Sequence, residues 1–444
     1  MIGVLKSFDP SNGELVGSVE STAISEIEQI VNRAKKAQKA WRILGADKRV
    51  DLIEKASQEV GSKSEELAVL LSKEMGKDYR RSTGEVNGVA YGAPYIANEA
   101  KRAIEPEQRR GSVIEFDPLG VVAVISPWNY PLAMAVNLMI PALTAGNTVV
   151  FKPSEETPLI AQKYVEILNK YLPENVLQIV HGDKEQGQKL VDSDVKMIAF
   201  TGSMAAGKDI MKRASGSIKR LVMELGGNDP MIVLPDANLD SAARFAVGSS
   251  FENAGQMCTS TERIYVHESI AEAFENRVKE IASYYKIGAW DDNNVNIGPI
   301  INDTQRSKII AHINDAVDKG AKLLLGGENH PEHYIVPTVL SGVNREMLME
   351  HEETFGPVVS ISRYSDLDEA IDLANDTIYG LGAVVYGGED AKNVARQLEA
   401  GMVGINSGVG GGDAPWVGAK QSGFGYHGTE NGHRQFAQVK VLSN

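Results

Sequence analysis

The sequence predicts an α/β fold built on a parallel sheet covered on both faces, and two observations predict it. Between Asp117 and Val233, short apolar runs alternate with helical patterns; the runs are Gly120–Ile125, Thr148–Phe151, Val176–Val180, Met197–Phe200 and Leu221–Met223. Near-continuous apolar strands separated by helices such as Pro158–Tyr171 and Ala205–Ala214 belong to sheets buried on both sides. The second observation concerns the ends of the runs. Four of them lead into a polar or glycine-bearing segment, and ligands in such sheets bind beyond the carboxyl ends of the strands.

Composition sets the outer limits. A chain of 444 residues suggests two or three domains, and 23% charged with 43% hydrophobic residues is an ordinary globular balance. The formal net charge of −14 argues against nucleic-acid or anionic-membrane partners. Met1–Asp9 has no basic region followed by an apolar signal core, and runs such as Val121–Ile125 are too short to span a bilayer. The expectation is a soluble, cytoplasmic protein. A single cysteine, Cys258, excludes an intrachain disulfide and any multi-thiolate metal site.

Taken in order, the chain opens with helices. From Ser25 to Met75 apolar residues recur three and four apart, as at Ile27, Ile30, Val31, Ala34 and Ala37. A second run covers Val50–Met75, with Gly76 as its C-terminal cap. These helices read as a cover layer with solvated Glu and Lys faces. After the sheet region, a strand at Ile264–His267 leads into a helix from Glu268 to about Ile287, and another helix runs from Asp303 to Lys319. Asp291–Asn296 and His351–Pro357 read as loops. Gly404–Gly425 is glycine-dense at Gly408, Gly410, Gly411 and Gly412, and reads as a flexible or closely packed loop. The tail, Gln435–Leu442, has the pattern of a strand that pairs within the fold or with another subunit.

The candidate site residues fall on the strand-end loops and around the cysteine. Ser126–Pro131, Lys152–Glu155, Thr201–Gly207 and Glu224–Asn228 come directly after four of the apolar runs. Gly202–Gly207 is a glycine-spaced turn entering a helix, whose free N–H groups suit a pyrophosphate; a plain strand–helix turn has the same outline. Lys152 and Glu155 can donate to and accept from ribose hydroxyls, or form an exposed ion pair. Cys258 sits among small and polar neighbours in Asn253–Arg263, unlike a cysteine used as core filler. Eight histidines are scattered without metal-type spacing, so no metal site is expected.

These segments together resemble the NAD(P)-dependent aldehyde dehydrogenase superfamily, over nearly the whole chain from Asp9–Glu14 to the tail. The motifs run in the family's order: PWNYP at Pro127–Pro131, KPSEETP at Lys152–Pro158, FTGS at Phe200–Ser203 and MELGGNDP at Met223–Pro230. NAGQMC at Asn253–Cys258, EETFGP at Glu352–Pro357 and KQSGFG at Lys420–Gly425 complete the set.

The resemblance implies a Rossmann-type NAD-binding domain from 1–101 and 118–226, and an α/β catalytic domain from 227–430. It also implies a small bridging element from 102–117 and 431–444 that supports a homodimer or homotetramer, so truncation before Gln435 is expected to release monomers. By the same resemblance Cys258 is the nucleophile that adds to an aldehyde. The Asn129 amide and the Cys258 backbone N–H stabilise the resulting oxyanion. After hydride passes to the nicotinamide, Glu224 activates the water that hydrolyses the thioester to a carboxylic acid.

Cofactor contacts carry over to Gly202 and Ser203 at the pyrophosphate and to Lys152 and Glu155 at the adenosine ribose. Ser154 and Gly207 lie in the same two turns. Glu353 falls at the nicotinamide ribose, with Phe355, Trp128 and Leu225 as lining. An acid at position 155 repels a 2′-phosphate, so NAD is expected over NADP. The substrate is a small-molecule aldehyde, either a semialdehyde such as succinic semialdehyde or a medium aliphatic or aromatic one. No arginine is identifiable as a clamp for a substrate carboxylate. The chain departs from the family in two ways: the usual leading segment is shortened, and Gly408–Trp416 is unusually glycine-rich. Two rival readings are a CoA-acylating relative, which has little use for a base at Glu224, and a non-catalytic structural relative. A cysteine protease fits less well, because no histidine stands in a recognisable partner motif.

Overall fold

The computed structural model describes residues 3–410 and 414–443. Its first sheet has six strands in the order Gly423–Phe424, Arg220–Glu224, Met197–Thr201, Val121–Ile125, Thr148–Lys152 and Leu177–Ile179. All neighbours are parallel except the first pair. Each apolar run read from the sequence is therefore a strand, within a residue or two at its ends.

Alternation along a single strand explains the double cover. Val121, Ala123 and Ile125 point into one core, with Ile27, Ile30, Val31 and Ala34 of helix Ile24–Ile43. Val122 and Val124 point into the opposite core, against helices Ala46–Ser62, Tyr79–Ala103 and Pro131–Thr144. Successive side chains leave a strand on opposite faces, so a strand apolar throughout needs both layers.

The second sheet has seven strands in the order Lys322–Leu325, Thr338–Ser341, Val358–Tyr364, Thr261–His267, Asp229–Val233, Gly382–Tyr386 and Met402–Ile405. Only Lys322–Leu325 is antiparallel to its neighbour. A third, antiparallel sheet joins Ala437–Ser443 to Ser112–Pro118 and Glu107–Arg109. The tail strand thus pairs within its own chain. Gly423–Phe424 is the antiparallel edge of the first sheet, although it lies late in the sequence.

Several elements differ from expectation. The Val50–Met75 run is two helices, Ala46–Ser62 and Ser64–Met75, parted at Lys63, whose φ of −107° and ψ of 16° leave the helical region. Gly76 does cap the second, at φ +84°. The helix after His267 stops at Ala282, five residues before Ile287. The hairpin of Val4–Phe8 and Leu15–Glu20 and the 25-residue helix Tyr79–Ala103 were not anticipated. Gly408 and Gly410 are closely packed: an added Cβ would lie 3.4 Å from the Phe245 ring and 2.9 Å from the Trp416 ring, respectively. Gly411 and Gly412 lie outside the described residues. Among those described, no helix is long and apolar enough to cross a membrane.

Candidate active site

Cys258 and Glu224 reach the same point from different sheets. Glu224 ends strand Arg220–Glu224 of the first sheet, and Leu225–Asn228 carries the chain directly into strand Asp229–Val233 of the second. Cys258 lies three residues before strand Thr261–His267, so it approaches from the amino end of a second-sheet strand. The rule that loops after strands carry the site therefore finds Glu224 but not the cysteine.

The turn that delivers Cys258 is backbone-strained. Asn253, Ala254 and Gly255 have φ of 51°, 59° and 74°, a left-handed run that costs the two non-glycine residues energy. Gly255 is needed twice, since an added Cβ would also lie 2.0 Å from the Gly356 carbonyl oxygen. The buried Gln256 side chain offsets the strain. Its Nε2 donates to the Asn253 carbonyl at 3.1 Å, and its Oε1 accepts from the Ile301 N–H at 3.0 Å. Gly227 fits beneath the cysteine, where a Cβ would come within 2.4 Å of the Cys258 carbonyl oxygen.

The Cys258 Sγ donates to Glu224 Oε1 at 3.1 Å. Burial pushes the thiol well above its usual range, and the negative charge of Glu224 adds to the rise. For Glu224 burial again works upward, but contacts with His427 and Cys258 outweigh it and leave the carboxyl below its usual value. The resting pair is therefore a thiol and a carboxylate. Glu224 Oε2 also accepts from Thr201 Oγ1 at 3.3 Å and lies 3.9 Å from His427 Nε2.

Asn129 is buried on the same side. Its Nδ2 donates to the Gln256 carbonyl at 3.0 Å, which uses one of two amide hydrogens and leaves the other for a ligand. Its own carbonyl accepts from the buried Lys77 Nζ at 2.8 Å. Lys77 pairs at 2.6 Å with Glu85, whose other oxygen accepts from the N–H groups of Leu132 and Ala133 at 3.0 and 3.1 Å. Glu85 thus caps the helix that begins with Pro131. The Cys258 N–H meets no backbone carbonyl among the described residues.

The expected dinucleotide residues cluster at the carboxyl end of the first sheet. Strand Val121–Ile125 lies between Thr148–Lys152 and Met197–Thr201, so the order of connection reverses beside it. That reversal leaves a crevice of the kind that accepts nucleotides. Lys152 is buried and pairs with the exposed Glu155 at 3.1 Å, while Ser154 Oγ accepts from the Glu156 N–H at 3.3 Å. Ser203 caps helix Met204–Ser215 by accepting from the Ala206 N–H at 3.3 Å. Two glycines make that turn possible. A Cβ on Gly202 would lie 2.5 Å from the Phe200 ring, and one on Gly207 would lie 2.6 Å from Leu225.

Glu353, Phe355 and Trp128 form the remaining wall. Glu353 Oε1 accepts from the Gly227 N–H at 3.1 Å, and the missing Cβ of Gly226 makes room for its carboxylate. Burial raises the Glu353 carboxyl, and it also raises Glu262 with a contribution from the Glu353 charge. Phe355, at φ +57°, stands edge-on to Trp128 with ring centroids 5.6 Å apart. Sequence reasoning missed the group that holds it: Glu262 accepts from the Thr354 and Phe355 N–H groups at 2.6 and 2.7 Å. It also missed Lys77, Glu85 and His427. The only signal for Glu262 was an acid just ahead of the apolar stretch Ile264–Val266.

A partly buried thiol against a carboxylate, with a crevice of the nucleotide-accepting kind at the neighbouring sheet end, is an arrangement suited to an oxidoreductase. The chain belongs to the aldehyde dehydrogenase family, whose model matches residues 3–442. It is an enzyme that acts on aldehydes. Glutarate-semialdehyde dehydrogenase of Pseudomonas putida is 35% identical over 99% of this chain and 94% of its own length. The NADP(+) succinate-semialdehyde dehydrogenase of Escherichia coli is also 35% identical, over 98% of this chain and 93% of its own. The crystal structure of succinate-semialdehyde dehydrogenase from Burkholderia pseudomallei superposes with a TM-score of 0.96 at 36% identity, covering 99% of this chain and 94% of that one.

Proposed function

We propose that this enzyme oxidises an aldehyde to a carboxylic acid with NAD, using Cys258 as nucleophile, Glu224 as general base and Asn129 as oxyanion donor. The observation that carries the reading is the 3.1 Å contact between Cys258 Sγ and Glu224 Oε1. Glu224 takes the thiol proton, and the sulfur bonds to the aldehyde carbon. The oxyanion so formed accepts from the free Asn129 amide hydrogen and from the Cys258 N–H; one such donor is worth about 10²–10³ in rate. Bound NAD supplies the acceptor for the hydride that leaves this carbon, so a thioester remains on Cys258. Once Glu224 has released the thiol proton to solvent, it draws a proton from water, whose oxygen attacks the acyl carbon and displaces the sulfur. A base in direct contact with the thiol supports hydrolysis over transfer to CoA.

Gly202, Ser203, Gly207, Lys152, Ser154 and Glu155 would hold the pyrophosphate and adenosine half of NAD. Glu353, Phe355, Trp128 and Leu225 would hold the nicotinamide half. Glu155 supports NAD, because its carboxylate stands where a 2′-phosphate would meet like charge. The E. coli relative is named for NADP(+), so the proposed preference rests on this chain's own Glu155 alone.

The aldehyde we assign is an uncharged aliphatic or aromatic one ahead of a semialdehyde. A groove of about 520 Å³ runs beside the site, lined by Tyr130, next to Asn129, and by Glu252, six residues before Cys258. Its inner cation, Arg81, is committed: Nε and Nη2 donate to Glu252 at 2.8 and 3.0 Å, and Nη1 donates to Asp78 at 2.5 Å. A substrate carboxylate would have to compete with that bidentate pair. The groove's other cation, Arg80, is exposed.

A panel of aldehydes with NAD and NADP, monitored by NADH or NADPH absorbance, tests the cofactor and substrate parts. We expect higher kcat/KM with NAD, and higher kcat/KM for a neutral aldehyde than for succinic semialdehyde of the same length. Glu252→Gln should narrow the second ratio by freeing Arg81. Comparable kcat/KM with NADP, or a semialdehyde preference in the unaltered enzyme, would reverse the corresponding part.

A further inference from the structure

Glu224 has two oxygens with two different neighbours. Oε1 meets the thiol at 3.1 Å, and Oε2 faces His427 Nε2 at 3.9 Å. Both residues are almost fully enclosed, at 3% and 6% exposure. A carboxylate this deep is penalised unless donors or a positive charge face it. His427 is the one cation-capable side chain in ion-pair distance of Glu224 among the described residues.

The fold secures that imidazole from three sides. Tyr426–His427 is a short strand paired antiparallel with Trp416–Val417, directly after the KQSGFG segment whose Gly423–Phe424 strand pairs with Glu224 and Met223. The Trp416 ring lies over the imidazole, at 6.5 Å between centroids and 20° between planes. Gly432 of helix Thr429–Arg434 packs on the His427 backbone, where a Cβ would come within 2.7 Å of its carbonyl carbon. The titratable groups that face His427 are Glu224 from the first sheet and His433 from that helix. His433 is buried and pushed down to about 4 by burial and by His427, so it is neutral near pH 7. It does not compete for Glu224.

We infer that His427 is a positioning residue for hydrolysis of the acyl-enzyme: it faces Glu224 Oε2, turns Oε1 toward the thiol side, and supplies a polar partner to the buried carboxylate. This rests on the roles proposed above for Cys258 and Glu224. In the step it serves, a water O–H bond breaks and the proton goes to Glu224. The water oxygen bonds to the acyl carbon, and the C–S bond breaks with its electron pair passing to the Cys258 sulfur. His427 makes and breaks no covalent bond.

The test uses p-nitrophenyl acetate, an activated ester that can acylate a nucleophilic thiol without any cofactor. A burst of p-nitrophenolate reads acylation, and the subsequent steady rate reads hydrolysis of the acetyl-enzyme. Mass spectrometry locates the acetyl group on Cys258. His427→Gln keeps a donor of similar size, while His427→Phe removes the donor. We expect both variants to keep a stoichiometric burst and to hydrolyse the acetyl-enzyme more slowly, Phe more than Gln. The acid limb of that hydrolysis should move up by about one pH unit or more, the effect of losing a group that favours the carboxylate form of Glu224. Hydrolysis in His427→Gln that superposes on the unaltered enzyme at every pH overturns the inference. If His427→Phe does not fold, His427→Gln decides alone. Failure of the unaltered enzyme to acetylate at Cys258 overturns the underlying reading instead.

Discussion

Burial and the Glu224 carboxylate together hold Cys258 as a thiol, and in the proposed mechanism the same Glu224 later activates water. Burial and the Glu224 charge both raise the thiol, so Glu224→Gln should lower it by removing the second of these. In alkylation by iodoacetamide without cofactor, the rate profile of the Gln variant should lie at lower pH than that of the unaltered enzyme. A profile displaced upward, or not at all, would mean that Glu224 does not face the thiol in solution. At this scale the sequence was legible wherever a residue does chemistry in its own motif. Cys258, Glu224 and Asn129 were all picked out as candidates, and the structure puts Cys258 against Glu224 and bonds Asn129 to the Gln256 carbonyl of the cysteine's loop. Lys77, Glu262 and His427 were not, because each acts on a residue at least 50 positions away and carries no local pattern; Lys77 Nζ reaches the Asn129 carbonyl across 52 positions.

Among the elements, two buried acids from the N-terminal helices perform parallel tasks. Glu85 caps the helix that begins at Pro131, and Glu74 caps the one that begins at Pro158, accepting from the Leu159 and Ile160 N–H groups at 2.8 and 2.6 Å. Both capped helices start in motifs that supply site residues, so the cover layer helps to fix Asn129 and Glu155. Burial raises Glu74 from 4.5 to about 7. Between those values the folded state keeps a proton that the unfolded state has lost, so this residue's contribution to stability falls as pH rises through the window. Glu74→Gln lacks that term. The unfolding free energy of the variant minus that of the unaltered enzyme should increase from about pH 4.5 to about pH 7, by on the order of 3 kcal/mol, and then level off. A flat difference in denaturant titrations would contradict the buried cap.

Helix Tyr79–Ala103, which carries Glu85, was hidden for a physical reason. Its inner face is built largely of alanine, and Gly84, Gly88, Gly92 and Pro94 depress the propensity that usually marks a helix. Its neighbours make the helix. The parallel strands of the first sheet were legible because burial on both faces forces a continuous apolar run. In the second sheet, Asp229–Val233 has Asp229 and Pro230 at its start, and Thr338–Ser341 is only four residues long.

For the whole molecule, assembly turns on the arm formed by Ala437–Ser443, Ser112–Pro118 and Glu107–Arg109, and we propose that it supports a homodimer or homotetramer. Val439 and Val441 are 50% and 57% exposed on its tail strand. Truncation before Gln435 would be a poor probe, because Phe436 and Ala437 are buried in the large core and Arg220 donates to the Gln435 carbonyl at 3.1 Å. Val439→Asp with Val441→Asp leaves that core intact and should lower the sedimenting mass to that of one chain. An unchanged mass would remove the arm from assembly. The two large sheets were legible as an α/β architecture, but not the return of Gly423–Phe424 to the edge of the first sheet beside Glu224, a pairing across about 200 residues.

The proposed chemistry joins both sheets: Cys258 carries the acyl group, and Glu224 brings the water that removes it. Glu224→Gln mixed with NAD and a substrate aldehyde, then quenched in acid and analysed by mass spectrometry, tests it most directly. The predicted result is a single turnover of NADH per active chain, with the acyl group retained as a thioester on the peptide containing Cys258. Continued turnover at the unaltered rate, or an acyl group on any other residue, would contradict it.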